Sequence, residues 1–82
     1  MREFHTIVEY SYVPKKQIFI IRFLDGTCLR VPLEHLPKEY QNKKAEWQLS
    51  ELNKDRTALF VKVGKKKLEI PAFEFYSAGR TL

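Results

Sequence analysis

The chain has 82 residues, of which 44% are hydrophobic and 30% are charged, and its formal net charge is +5 at pH 7. This composition excludes the low hydrophobicity and high charge of disordered chains, and the length suits one small domain. The sequence therefore predicts a single folded domain over residues 1–76, followed by a flexible C-terminal tail over residues 77–82.

Cysteine content and the N-terminal sequence indicate the compartment. Cys28 is the only cysteine, which excludes an internal disulfide and a zinc site built on paired cysteines. The first ten residues contain no apolar stretch like that of a signal peptide. The longest apolar run, 18–21, is too short to span a bilayer. We therefore expect a cytoplasmic protein that does not contact a membrane.

The N-terminal part of the chain predicts a strand and then a β-hairpin. Residues 4–13 alternate between β-favouring and polar positions, which predicts a strand. Pro14 ends this strand because proline has no backbone N–H to donate to a ladder. The apolar runs 17–24 and 27–31 are separated by an Asp-Gly pair, which is the strongest short-range signal for a hairpin.

The first strand of this hairpin is apolar on both faces. Phe19, Ile21 and Phe23 alternate and point to one side of the strand. The residues on the opposite face are Ile18, Ile20 and Leu24. The rest of the chain offers only one short helix to cover this second face, and uncovered apolar faces invite association. We therefore predict that the second face contacts a protein partner or a second copy of the chain.

The second half of the chain predicts one short helix and a second hairpin. Residues 37–45 contain polar residues and helix formers, which favours a helix. The alternation over residues 47–49 fits either the end of that helix or a strand, and we favour the strand. Residues 57–63 and 67–70 flank Gly64, which can adopt a positive φ in a tight turn. The whole pattern predicts an α+β fold with a mainly antiparallel sheet of four to six strands and one short helix.

No pattern in the sequence indicates catalysis, a metal site or a cofactor. His5 and His35 lie outside any metal-binding spacing, and no base is arranged beside Cys28. Three glycines are too few for a phosphate-binding loop, and the carboxylates are scattered as on an ordinary surface. We therefore expect a non-enzymatic protein that needs no cofactor and acts by binding.

Lysines are concentrated in the predicted turns and support an alternative function. If the turns at 14–16 and 64–67 lie at the same end of the sheet, their five lysines form one patch that contacts phosphates. These residues are Lys15, Lys16, Lys65, Lys66 and Lys67. Tyr10 and Tyr12 share one face of the first strand and would then stack on bases, as in weak, sequence-tolerant binders of nucleic acid. The competing interpretation is that these are solvated turns and that the tyrosines form the core side of a strand.

Several motifs are shared with a known family of small bacterial domains. Their positions are Phe23-Leu24-Asp25-Gly26-Thr27, Leu29-Arg30-Val31, Leu33, Leu36, Trp47, Ile70-Pro71 and Phe75-Tyr76. Through them, most of residues 5–76 resembles the family catalogued as domain of unknown function number twenty-four forty-two. Many members of that family carry a tryptophan before the proline, where this chain has Ile70. The resemblance implies a small α+β fold with no assigned enzymatic activity and genes that often neighbour toxin-like partners.

The resemblance and the apolar second face of the hairpin strand agree on a binding role. The leading prediction is a non-enzymatic protein-interaction module, either antitoxin-like or a regulatory partner of another small protein. The alternative is the nucleic-acid-binding protein that would use the lysine-rich turns. The two predictions differ in the surface that they require, so the positions of the turns and of the apolar face can discriminate between them.

Overall fold

Two antiparallel sheets form the architecture of residues 5–41 and 44–81, which a computed structural model of the chain describes. In chain order the strands are β1 (Ile7–Val13), β2 (Ile18–Phe23), β3 (Cys28–Pro32), β4 (Ala45–Leu52), β5 (Ala58–Val63), β6 (Lys66–Pro71) and β7 (Arg80–Thr81). Sheet one has the order β1-β2-β3-β7, and sheet two has the order β4-β5-β6. The described residues also form two 3-10 turns, Leu33–His35 and Lys38–Tyr40, and one α-helix, α1, at Ala72–Ala78.

The α+β class and the antiparallel pairing predicted from the sequence are confirmed. The described strands number seven, however, and they are divided between two sheets instead of forming one sheet of four to six strands. Buried residues of both sheets belong to one hydrophobic cluster, so the two small sheets share a single core.

The predicted hairpins are confirmed with small shifts at their ends. The run 17–24 corresponds to β2 and the run 27–31 to β3, and Gly26 has a φ of +91° in the turn between them. Gly64, with a φ of +61°, occupies the turn between β5 and β6. The strand favoured over residues 47–49 is confirmed as part of β4. β1 begins at Ile7, and residue 4 of the predicted strand lies outside the described residues.

The helix predicted at residues 37–45 is wrong. Lys38–Tyr40 forms a single 3-10 turn, Ala45 already begins β4, and residues 42–43 lie outside the described part of the chain. The residue before Pro37 is restricted to extended backbone, and Leu36 has φ −75° and ψ 153°. The Nε2 amide of Gln41 donates to the Leu36 carbonyl at 2.6 Å, so an acceptor that a helix would use is bound to a side chain.

The helix forms instead directly after β6, at Ala72–Ala78, where the sequence pattern predicts no helix. Pro71 precedes its first residue with φ −60° and ψ 146°, and the fixed φ of proline suits the beginning of a helix. Ala72 and Phe75 are buried on the face that packs toward the sheets. Tertiary packing of this face therefore stabilises a helix that is too short to be stable alone.

Residues 77–81, which were predicted to belong to a flexible tail, lie at the end of α1 and in β7. Arg80 pairs with Arg30 of β3, and Thr81 pairs with Leu29. Gly79 approaches β3 so closely that a Cβ atom at this position would lie 2.9 Å from the Cβ of Leu29. The regular structure thus continues past residue 76, while the flexibility of these residues stays a prediction.

Both sheets and the helix contribute to one hydrophobic core. The largest fully buried side chains are those of Phe19, Phe75, Ile7, Ile21, Leu59, Ile70, Val31 and Val61. The predicted inward face of β2 is confirmed, because Phe19, Ile21 and Phe23 are all buried. The ring of Phe19 lies 5.3 Å from that of Phe75 and 5.8 Å from that of Trp47, measured between centroids. One side chain of sheet one therefore contacts both the helix and sheet two.

Replacing Phe19 by Ala should lower the free energy of unfolding by about 3–5 kcal/mol, because it leaves a cavity where the sheets and the helix meet. Phe73→Ala is the matched control, since Phe73 is 53% exposed and its loss should change the stability by no more than about 0.5 kcal/mol. Urea unfolding followed by circular dichroism measures both. Equal losses in the two variants would contradict the central position of Phe19.

Candidate functional site

A cleft of about 400 Å³ opens between β1 and β4, the edge strands where the two sheets meet. The residues that line it, Tyr12, Pro14, Ala45, Glu46, Trp47, Gln48 and Leu49, define what we call the Trp47 cleft. Within the described residues β1 pairs only with β2, and β4 pairs only with β5. Edge strands of this kind present backbone groups to which another chain can bind.

An irregularity in β4 shapes the cleft. Glu46 pairs with Lys62 of β5, but the next pair is Glu51 with Phe60, so residues 47–50 face a single residue of the partner strand. Such a bulge bends the strand and changes the direction of its side chains, and bulges are frequent beside functional sites. Three of the bulged residues line the cleft. The bulge therefore interrupts the regular pairing of β4 with β5, and the side chains of the bulged residues line this concave surface.

Two aromatic rings form the wall of the cleft, and both rest on a buried third ring. The centroid of Tyr12 lies 4.9 Å from that of Phe19, and the centroid of Trp47 lies 5.8 Å from it on an edge-to-face contact. Phe19 itself has no exposed surface. Partial burial raises the pKa of the Tyr12 hydroxyl above its ordinary value. The wall is thus held from behind by the core, which leaves little side-chain motion to be lost on binding.

An exposed aliphatic side chain lies at the rim of this wall. Leu49 is 60% exposed, and Pro14 on the opposite side of the cleft is exposed as well. The other large exposed apolar residues of the described chain are Leu24 and Phe73, and neither lines the Trp47 cleft. Leu49 therefore belongs to a concave apolar surface, whereas single exposed apolar residues elsewhere need no explanation.

Hydrogen bonds between the sheets hold β1 beside β4. The hydroxyl of Tyr10 donates to the carbonyl of Ser50 at 2.7 Å. Further along, the backbone N–H of Ile7 donates to the Arg56 carbonyl at 2.8 Å, and the Arg56 Nη1 donates to the Val8 carbonyl at 3.0 Å. These contacts close the gap between the strands at one end of the fold and leave it open at the other, where the cleft lies.

The tyrosines predicted to stack on bases occupy different surroundings. Tyr12 lines the Trp47 cleft, while Tyr10 does not line it and uses its hydroxyl to join the sheets. Trp47 and Leu49 were not predicted as site residues. The sequence did contain a signal for them, because a tryptophan and a leucine alternate with polar residues in a segment that is otherwise charged.

The two lysine-bearing turns lie at the same end of the fold. Pro14, which precedes Lys15, lines the cleft together with Ala45, and Ala45 pairs with Val63 immediately before the second turn. All five predicted lysines are exposed, and four of them, Lys15, Lys16, Lys65 and Lys66, lie in the turns or directly beside them. The structure thus brings these four to the open end of the Trp47 cleft.

The fifth lysine has a partner of its own. The Nζ of Lys67 lies 3.1 Å from the Oε1 of Glu51 and 6.0 Å from the centre of the Phe60 ring. Both members of the ion pair are largely exposed, so its contribution to stability is small. The ion pair joins β6 to β4 across β5. Among the described residues, the other four lysines form no ion pair of this kind.

The predicted protein-binding face of the first hairpin is not one continuous surface. Ile18 is only 7% exposed, Ile20 is half-buried, and Leu24 is 72% exposed beyond the end of β2. Leu24 lines a smaller cleft of about 220 Å³, with His5, Thr6, Phe23 and Asp25. The role of these residues at an interface stays a prediction, and the exposed apolar surface available for it is that of Leu24.

A polar cluster surrounds this second cleft. The ring of His5 stacks on that of Tyr76 at 4.0 Å between centroids, and the Tyr76 hydroxyl donates to the Oδ2 of Asp25 at 3.0 Å. The backbone N–H of Thr27 donates to the Oδ1 of the same carboxylate at 2.8 Å. The Thr27 hydrogen bonds first, then that of Tyr76 and the charge of His5, hold the pKa of Asp25 below its ordinary value.

Because the folded-state pKa of Asp25 is lowered, its ionised form stabilises the fold at pH values above its ordinary pKa, and this contribution is lost as the pH falls through the folded-state pKa. Asp25→Asn should therefore lose less stability than the wild type when the pH falls from about 5 to about 3. Urea unfolding at both pH values measures the difference. Asp55→Asn, in the turn before β5, is the control and should follow the wild type; an Asp25→Asn variant that also follows it would contradict this role.

The described residues contain no group of three or more His, Cys, Asp or Glu side chains placed to hold a metal ion. Cys28 is a free, half-buried thiol, and His35 is exposed in the first 3-10 turn. Within residues 5–41 and 44–81, no helix has the length and apolar character that crossing a membrane requires.

The chain was compared with protein-family models, with curated proteins and with solved structures. None of the three comparisons finds a match. The resemblance to the family of domains number twenty-four forty-two therefore stays a prediction that rests on the motifs in the sequence.

Proposed function

We propose that the protein is a non-enzymatic binding module and that the Trp47 cleft holds a segment of a partner protein. The observation that carries this proposal is the exposure of Leu49, 60%, beside the aromatic wall of Trp47 and Tyr12. Covering a leucine side chain contributes about 1.5–3 kcal/mol, and aromatic residues held in place are typical of interface centres. An antitoxin-like or regulatory role would be one case of such binding.

The position of the cleft suits an extended segment. It lies along the open edge of β4, and a strand added to such an edge gains main-chain hydrogen bonds while its alternate side chains enter pockets. The bulge over residues 47–50 keeps part of β4 out of register with β5, so its side chains face the cleft. The added segment would place apolar side chains against Trp47 and Leu49.

The lining favours binding over catalysis. Glu46 is the only carboxylate among the lining residues, and the lining contains no histidine, cysteine or lysine. A general acid or base must lie within hydrogen-bond reach of the proton that it transfers, and Tyr12 and Glu46 are the only residues of the lining with titratable side chains. The apolar and aromatic side chains that dominate the wall supply contact area instead.

Leu49→Asp should reduce the amount of partner protein that the immobilised chain captures by about tenfold or more, because a charge replaces the apolar contact at the rim. Leu24→Asp is the matched control, since Leu24 is 72% exposed and lies outside the Trp47 cleft. Quantitative mass spectrometry of the captured proteins compares both variants with the wild type.

Thermal unfolding of the same samples shows whether the variants are folded. Both changes are at exposed positions and should alter the stability by no more than about 0.5 kcal/mol. Proteins captured equally by all three chains would contradict the proposal, as would proteins lost with Leu24→Asp and kept with Leu49→Asp. The second result would move the binding surface to the smaller cleft.

A second candidate function is binding of single-stranded nucleic acid. The observation in its favour is that the lysine-bearing turns flank the open end of a cleft with two aromatic rings. Lysines that contact the backbone and rings that stack on bases are the two components of sequence-tolerant binding. The aliphatic rim at Leu49 favours a protein segment, because an exposed leucine side chain supplies neither a charge for a phosphate nor a ring that stacks on a base.

If the chain binds nucleic acid there, about four lysine contacts should give a slope of about −3 in a plot of log affinity against log salt concentration. Fluorescence anisotropy with an oligo(dT) of about twelve nucleotides measures this slope. Lys15→Ala and Lys65→Ala should each make it shallower, whereas Lys54→Ala, in the turn at the other end of β4, should not. No binding at low salt would exclude this function.

A further inference from the structure

The charges at the open end of the Trp47 cleft are unbalanced. Lys15 and Lys16 directly follow Pro14, which lines the cleft, and Lys65 and Lys66 lie in or directly beside the turn after Val63, which pairs with Ala45 of the lining. Among the described residues, none of these four lysines forms an ion pair, whereas Lys67 is paired. The lining of the cleft contributes one carboxylate, that of Glu46, so the sum of the formal charges at this end remains positive.

The apolar and the charged parts of this surface follow each other along β4. Trp47 and Leu49 lie within the strand, whereas Ala45 begins it and pairs with Val63 beside the second turn. A segment that runs along the outer edge of β4 therefore passes over the apolar wall first and then reaches the space between the two lysine-bearing turns. In the direction from Leu49 toward Ala45, the apolar residues of the bound segment must therefore come before its charged residues.

A second copy of the chain does not complement this surface. Each copy carries a net charge of +5, so the association of two copies would bring two positively charged chains together. Like charges placed in this way oppose association. The occupant that fits is a chain of opposite charge.

We infer that the partner segment is an extended acidic peptide, with alternating apolar residues that pack on Trp47 and Leu49 and with aspartate or glutamate residues at the end that lies between the two lysine-bearing turns. This inference rests on the proposed function, because it names the chemistry of the segment that the same cleft holds. Charge complementarity here sets partner choice and association rate, while the apolar contacts supply most of the affinity.

A displayed library of random peptides of about ten residues, the length of a long strand, tests the inference. Peptides are selected on the wild-type chain, and those that also bind Leu49→Asp are removed. The selected peptides should carry acidic residues at one end of an alternating apolar segment. A synthetic copy of the most enriched peptide should bind Lys15→Glu about 2- to 10-fold more weakly than the wild type.

Two further measurements on that peptide separate steering by local charge from an effect of net charge. Lys54→Glu changes the net charge of the chain equally but lies in the turn at the far end of β4, so it should leave the affinity within about twofold. Raising the salt concentration from about 0.05 to about 0.3 M should weaken binding to the wild type and reduce the difference between the wild type and Lys15→Glu.

The outcomes distinguish this inference from the proposed function. Peptides that depend on Leu49 but are neutral or basic would overturn the acidic class and leave the binding module intact. A library that yields no peptide dependent on Leu49 would overturn both. A dimer that depends on Leu49 in sedimentation would also overturn the acidic-peptide assignment. The same holds if oligo(dT) binds more tightly than every selected peptide and competes with the peptides for the cleft.

Discussion

The packing of the Phe19 ring joins the parts of this protein. The ring belongs to β2, yet its neighbours are Tyr12 on β1, Trp47 on β4 and Phe75 on α1, all within 5.8 Å between centroids. A fully buried aromatic side chain contributes several kcal/mol through burial and through edge-to-face contacts. Since Tyr12 and Trp47 are also the wall of the cleft, the interaction that stabilises the fold is the same one that positions the candidate binding surface.

The cleft exists because the two sheets meet along strands that do not pair with each other. Hydrogen bonds from Tyr10 and Arg56 connect β1 to the β4 side at one end, and the strands separate toward Pro14 and Ala45 at the other. A continuous ladder between β1 and β4 would remove both open edges and fill this space. The bulge in β4 interrupts such regular pairing, so a small domain retains a concave apolar surface at little cost to its core.

The charge distribution gives this surface a direction. The apolar wall lies within β4, and the lysine-bearing turns lie at the end where β4 begins. An apolar cleft alone binds many extended segments with similar affinity, whereas exposed charges at one end discriminate among them and fix their orientation.

Local patterns in the sequence determined the hairpins and the inward face of β2. The Asp25-Gly26 pair and Gly64 lie in the predicted turns, where the two glycines adopt a positive φ that glycine tolerates whatever surrounds it. The division into two sheets, the helix after Pro71 and the Trp47 cleft were decided only by tertiary structure. Each depends on contacts between residues far apart in the chain, such as the 40-residue separation of Tyr10 and Ser50. Alternation over a few residues states which side chains share a face, but what covers that face is determined by how the whole chain packs.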